Sequence, residues 1–236
     1  MATCQGSVPD GANIDTSSTG TKTFTVNATD NAGNTSSVSH TYTVNAQTTS
    51  CTKTGTANAE TISGTSGADV ICAGGGNDII KGLGGNDILK GEAGNDKLLG
   101  GIGNDTLDGG TGTDTASYSA SLTGVIASLA ANTATGEGSD TFLGVENLLG
   151  SSKVDTLTGS DTNNKLTGGG GSDTERGGLG DDTVIGSGGA DFLYGQGDND
   201  TINSKDGVNG NDTLSGGTGT DTKITDTREK SIVGFP

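Results

Sequence analysis

From Gly64 the chain divides into nonapeptides, GTSGADVIC, AGGGNDIIK, GLGGNDILK, GEAGNDKLL, GGIGNDTLD and GGTGTDTAS, and this period of nine restricts the fold more than any other feature. The sixth position is Asp every time, at Asp69, Asp78, Asp87, Asp96, Asp105 and Asp114. The fourth is always Gly, and the eighth carries Ile71, Ile80, Leu89, Leu98, Leu107 and Ala116. The pattern resumes at Gly150 as GSSKVDTLT, GSDTNNKLT, GGGGSDTER, GGLGDDTVI, GSGGADFLY and GQGDNDTIN. That places Asp155, Asp173, Asp182, Asp191 and Asp200 in register, with Asn164 replacing one Asp. Ser204, Lys205 and Asp206 break the phase by three residues, and GVNGNDTLS and GGTGTDTKI restore it at Asp212 and Asp221. A flexible Gly/Asp linker would not hold apolar residues in phase with Asp over six consecutive periods, so the repeat is structural.

In each nonapeptide the last three residues suit one short strand, with the eighth side chain inward and the seventh and ninth outward. The other six turn the chain. Two nonapeptides then make one flattened coil of 18 residues, and a residue stacks roughly 4.8 Å from its counterpart one coil later. Asp69 is expected over Asp87, Asp78 over Asp96, Asp87 over Asp105 and Asp96 over Asp114. The expected fold class is all-β: a parallel β-roll, a β-helix solenoid, with a short N-terminal β-hairpin segment.

The repeat resembles that of the repeats-in-toxin (RTX) family, Gly-Gly-x-Gly-x-Asp-x-apolar-x, over roughly residues 51 to 225. The phrase Asp114-Thr-Ala-Ser-Tyr118, followed by Val145-Glu-Asn-Leu148, looks like the variant unit that interrupts such arrays in secreted bacterial proteins. Several positions depart from the pattern: Glu175 and Lys223 stand where apolar residues belong, and Lys153, Thr162 and Asp198 replace the fourth glycine. The resemblance implies a module that stays unfolded where calcium is scarce, meets export machinery, and folds outside the cell.

The residue types support a calcium site independently. Glycine permits the positive φ and close backbone approach of a tight turn, leaving carbonyls free to converge. Two stacked carboxylates with several carbonyls form an all-oxygen cage, which suits calcium better than zinc, copper or magnesium. The expected ligands are Asp69, Asp78, Asp87, Asp96, Asp105, Asp114, Asp155, Asp173, Asp182, Asp191, Asp200, Asp212 and Asp221, with Gly76, Gly85, Gly94 and Gly103 contributing backbone oxygens. Without the ion, two carboxylates at this spacing repel by about 0.8 kcal/mol in water and about 3 kcal/mol at an effective dielectric near 20. Summed over many pairs, this defeats a thin core, so calcium binding is expected to drive folding.

Composition agrees and excludes other classes. Only 28% of residues are hydrophobic and the formal charge is -17, a balance that predicts disorder unless something besides a core supplies folding energy. The same acidity disfavours nucleic acid and anionic lipid as partners, and no apolar run is long enough to insert in a membrane. Zinc chemistry is disfavoured by the single His40 and by Cys4, Cys51 and Cys72, which form no Cys-x-x-Cys pair. Residues after Met1 lack a secretory signal, which points to another export route or to a longer parent protein.

The remaining segments are read as follows. Residues 1–45 are a truncated piece resembling an immunoglobulin-like domain, with alternating strands around the Asn31-Ala-Gly-Asn34 turn and Cys4 separated from its partner. Residues 46–63 form a linker and N-terminal cap, 64–117 and 150–225 the two roll blocks, 118–149 wider variant coils continuing the roll, and 226–236 a C-terminal cap. Asp140 and Glu146 are either extra ligands or solvated turn residues. Cys51 and Cys72 flank the first coil, where they either form a bridge, implying an oxidising extracellular setting, or remain free thiols.

No metalloprotease, nucleophile-elbow or phosphate-loop motif is present, so no enzyme is expected. The expected function is a monomeric calcium-binding folding and export module of a secreted or cell-surface protein. The alternative is a calcium-dependent adhesin or ice-binding surface built on outward Thr106, Thr115, Thr156, Thr174, Thr183, Thr201, Thr213 and Thr222, a rank interrupted by Ile79, Ile88 and Lys97.

Overall fold

The computed structural model describes residues 3–6, 20–44, 50–208, 211–226 and 231–235, among which there is no helix. The chain forms two units, Met1–Thr49 and Ser50–Pro236. In the first, Thr3–Gly6, Gly20–Thr29 and Thr35–Val44 make one antiparallel sheet in that order. The hairpin turn expected from sequence is set by Asp30, whose Oδ1 accepts the amides of Ala32 and Asn34 while its Oδ2 accepts the Asn34 side-chain amide. Gly33 follows at φ +87°, a conformation in which a side chain is disfavoured.

The second unit is a parallel β-solenoid with a 12-stranded sheet on one side and a nine-stranded sheet on the other. The chain alternates between them every nine residues, because each nonapeptide supplies one strand and one turn. Strand partners stand 18 residues apart, as in Ile71 against Leu89, Leu89 against Leu107 and Ile80 against Leu98. Eighth-position side chains from both sheets fill the interior, so Ile71, Ile80, Leu89, Leu98, Leu107, Leu157, Leu166, Val184, Leu193, Ile202 and Leu214 are all fully buried. The three-residue phase break is absorbed in a turn, and the register continues across a 21-residue coil with Leu193 against Leu214 and Ile202 against Lys223.

Residues 118–149 differ from the wider coils expected. Ile126–Ser128, Thr133–Thr135 and Ser139–Leu143 form an antiparallel meander inserted into the larger sheet. Its outer strands pair parallel with the roll, Leu157 beside Ala127 and Leu107 beside Phe142. The smaller sheet passes directly from Ala116 to Leu148. The chain must reverse here because Asn132, at φ +55°, forms a tight turn between the first two inserted strands.

Two further features lie at the ends of the solenoid. Cys51 and Cys72 are joined by a disulfide with Cα atoms 5.8 Å apart. At the C-terminal end Ser231–Val233 pairs with Thr213–Ser215, Phe235 packs against the last apolar cluster, and the Lys223 ammonium stands 5.3 Å from the centre of its ring. Residues 46–49, 227–230 and 236, which belong to the expected linker and cap, lie outside the described residues.

Candidate metal centre

Each turn is bound to its neighbours by two side-chain ladders that run in opposite directions. A sixth-position Asp accepts, through Oδ1, the backbone amide of the Asp one coil earlier: Asp87 from Asp69, Asp96 from Asp78, Asp105 from Asp87 and Asp114 from Asp96, all at 2.7–2.8 Å. In the second block Asp173 accepts from Asp155, Asp191 from Asp173, Asp212 from Asp191 and Asp221 from Asp200. A fifth-position Asn does the reverse, accepting the amide one coil later: Asn77 from Asn95, Asn86 from Asn104 and Asn95 from Thr113. The Asn ladder is not among the features expected above, although the recurring Asn-Asp pair at 77–78, 86–87, 95–96 and 104–105 carries its signal.

The second carboxylate oxygen is treated differently. Oδ2 of Asp78, Asp87, Asp96, Asp105, Asp114, Asp173, Asp182, Asp191, Asp200 and Asp221 is buried and accepts no hydrogen bond. Beside it, at Asp87, Asp96, Asp173, Asp182, Asp200 and Asp221, stands a carbonyl of the next coil. A Cβ placed on Gly82 would come within 3.0 Å of both Asp87 Oδ2 and Gly100 O, and one on Gly91 within 3.0 Å of Asp96 Oδ2 and Gly109 O. Gly177 and Gly195 show the same convergence, with Asp182 and Gly195 O, and with Asp200 and Gly216 O. At Gly82, Gly91, Gly177 and Gly195 the first glycine is therefore required for space rather than for its backbone angle, whereas Ala73 fills that position in the nonapeptide of Asp78. The fourth glycines Gly76, Gly85, Gly94 and Gly103 do have φ between +105° and +139°, and the carbonyls of Gly76 and Gly85 abut Gly94 and Gly103 in the following coil.

Burial without partners disfavours the charged form, pushing the carboxyls of Asp105, Asp173 and Asp182 up to about 7 and those of Asp114 and Asp200 up to about 6. Neighbouring carboxylates push in the same direction.

Asp69 and Asp155, both expected ligands, are placed differently from the rest. Asp69 Oδ2 accepts the amide and hydroxyl of Thr65 at 2.6 and 2.8 Å, and the hydroxyl bond holds its carboxyl below the ordinary value. Asp155 Oδ2 accepts the Ser151 amide at 2.6 Å, and the Ser151 hydroxyl reaches both its oxygens. Asn164 is closed in the same way by Ser160, and Glu60 by Thr56. In these turns the hydroxyl residue has an ordinary negative φ, and three of the four carry Asn58, Lys153 or Thr162 where glycine is usual. Those departures mark turns closed by the protein itself. A full coil whose two turns are satisfied by hydroxyls thus stands at the start of each array, residues 55–72 leading into the first block and residues 150–167 opening the second.

The inserted meander rejoins the ladders. Asp140 is buried, not solvated; it accepts the Asp105 amide through Oδ1 and the Tyr118 hydroxyl through Oδ2 at 2.8 Å. Glu146 accepts the Asp114 amide. Each matches part of the repeat, Gly138-Ser-Asp140-Thr-Phe142 and Glu146-Asn-Leu148 corresponding to its fourth to eighth and sixth to eighth positions.

Glu175 is the largest exception. It replaces an apolar residue between Leu157 and Leu193, is fully buried, and neither carboxylate oxygen has a partner. Desolvation, reinforced by Asp191 and Asp173, pushes its carboxyl up to about 10.

Among the described residues no three acidic, cysteine or histidine side chains gather around one point. A cation here would rest on carboxylates combined with backbone carbonyls. The partnerless Oδ2 atoms, of which those of Asp87, Asp96, Asp173, Asp182, Asp200 and Asp221 stand beside a carbonyl of the next coil, fit a hard divalent ion with oxygen ligands, calcium foremost. In comparison with known families, the model of the RTX calcium-binding nonapeptide repeat, described in four copies, matches residues 54–89, 81–116, 140–175, 176–209 and 206–222, more than half of the chain. No curated protein matches.

Proposed function

Because the chain belongs to the family of RTX calcium-binding nonapeptide repeats, we propose that it is a calcium-dependent folding module, in which calcium bound at the turns fastens each coil to the next. The observation that carries this reading is the row of buried carboxylate oxygens with no protein partner, those of Asp87, Asp96, Asp173, Asp182, Asp200 and Asp221 lying beside a carbonyl of the adjacent coil. Asp78, Asp87, Asp96, Asp105 and Asp114 would hold ions in the first block, and Asp173, Asp182, Asp191, Asp200 and Asp221 in the second, with Asp212 continuing the ladder from Asp191. Gly76, Gly85, Gly94 and Gly103 shape the turns that bring these oxygens together. Asp69 and Asp155, whose oxygens are taken by Thr65 and Ser151, serve to start the blocks.

The bound ion supplies positive charge where the fold gathers negative charge. In its absence burial and mutual repulsion oppose the ionised carboxylates, so binding energy becomes folding energy. A setting outside the cell agrees with both needs, supplying an oxidising environment for the Cys51–Cys72 bridge and millimolar calcium. We assign no catalytic role, since the paired carboxylates that could serve acid–base chemistry are committed to the ladders. Nor do the outward rows favour an adhesin or ice-binding face. In the larger sheet Phe192 interrupts Thr174 and Thr213, and in the smaller one Asn147 and Lys165 precede Thr183, Thr201 and Thr222.

Circular dichroism during a calcium titration tests the reading. The chain in chelator should give a disordered spectrum and gain β signal between about 0.1 and 10 mM calcium. Equal order with and without the ion would refute it.

A further inference from the structure

The interior of the solenoid is not continuous. One apolar cluster ends at Leu157 and Leu166, a second begins at Val184 and Leu193, and Glu175 stands between them in the larger sheet. Its neighbour Arg176 does not compensate it, because that guanidinium stacks on Tyr194 at 5.3 Å from the ring centre. A carboxyl group at full burial with both oxygens unbonded is either held neutral by a proton or paired with a cation.

The position of that carboxylate is specific. A Cβ on Gly168 would come within 3.0 Å of Glu175 Oε1, Asp173 Oδ2 and Gly186 O. At Gly82, Gly91 and Gly195 the corresponding point gathers one Asp Oδ2 and one carbonyl. Here a third oxygen arrives from the core side, from a second carboxyl group.

We propose that Glu175 is a calcium ligand that reaches its turn from inside the roll, joining Asp173 and the Gly186 carbonyl in a site with one carboxylate more than its neighbours. The inference rests on the calcium-roll reading above and adds to it a particular site. Affinity for calcium rises with the charge of the ligand set, so this is the tightest site of the second block. It also gives the isolated glutamate a function: the ion it holds bridges the two apolar clusters, where leucine would have joined them by contact.

Isothermal titration of the whole chain with calcium chloride decides this, with Glu175→Leu and Glu175→Gln beside the wild type. The leucine variant restores the residue type of the repeat, so folding is not endangered, and the glutamine keeps shape without charge. Both should bind one equivalent fewer, or lose the tightest phase by at least about tenfold, while retaining the β signal at saturating calcium. Unchanged stoichiometry and affinities in both variants, with the leucine form merely more stable, would overturn the role of Glu175 and leave the calcium roll intact. A wild type that takes up no calcium would overturn both.

Discussion

A sixth-position aspartate has two oxygens with separate duties, one holding a backbone amide of the preceding coil and the other turned to the cation. Asp87→Ala should therefore disturb the turns shared with Asp69 and Asp105, costing about 1–3 kcal/mol for the stranded Asp69 amide and reducing the calcium bound. Asp108→Ala, on an outward strand position, should stay within about 0.5 kcal/mol. Calorimetric stoichiometry and thermal melts in calcium compare the two, and equal losses would contradict the ladder. The fourth position gives a second contrast. At Gly94, φ is +137° and a Cβ would press on Gly76 O, so Gly94→Ala should cost about 3 kcal/mol or more. Gly67 occupies the same position in a hydroxyl-closed turn, with nothing nearer to a Cβ than the Thr65 hydroxyl at 3.9 Å, and Gly67→Ala should be tolerated within about 1 kcal/mol. The spacing of Asp and Gly was legible in sequence. Which aspartates already have partners was not, because that depends on the φ of the residue four positions earlier, and Ser187, at φ +73°, leaves Asp191 Oδ2 unbonded where Ser151 closes Asp155.

Among the elements, one strand per nonapeptide and the 18-residue pairing follow directly from the period of nine, since the inward apolar residue fixes the register; strands such as Ile79–Gly84 and Ile88–Ala93 run beyond the three residues expected, into the first residues of the next repeat. The meander at 126–143 was harder to read. A reversal set by Asn132 leaves no periodic trace, and alternating strands look the same whichever way they run. The disulfide at the N-terminal end of the roll yields a direct prediction. Peptide mapping without reductant should recover Cys51 joined to Cys72 and leave Cys4 outside that bridge. Replacing both with Ser should lower stability in calcium by about 3 kcal/mol, as expected for a closed loop of this size. Recovery of Cys4 in the bridge would instead tie the N-terminal sheet to the first coil.

On the scale of the whole molecule, a formal charge of -17 meets a fold that stacks its carboxylates. Asp105, Asp173 and Asp182 are raised from 3.8 to about 7 by burial, so between about pH 4 and 7 the ion-free roll holds more protons than the unfolded chain. Its stability is greatest below that window and falls as pH rises through it. In chelator, the β signal should be stronger at pH 5 than at pH 8. With calcium present the order should reverse, because protons and calcium compete for the same oxygens. An ion-free chain that is more ordered at pH 8 would contradict the burial of these groups. A final consequence comes from the coil at Ser151 and Ser160, whose turns close on their own hydroxyls. In a one-dimensional crystal such a plane would be a grain boundary: lattice order crosses it, but the cement on either side does not. The roll is then two crystallites sharing a seam, and slow withdrawal of calcium should dissolve them one after the other rather than together.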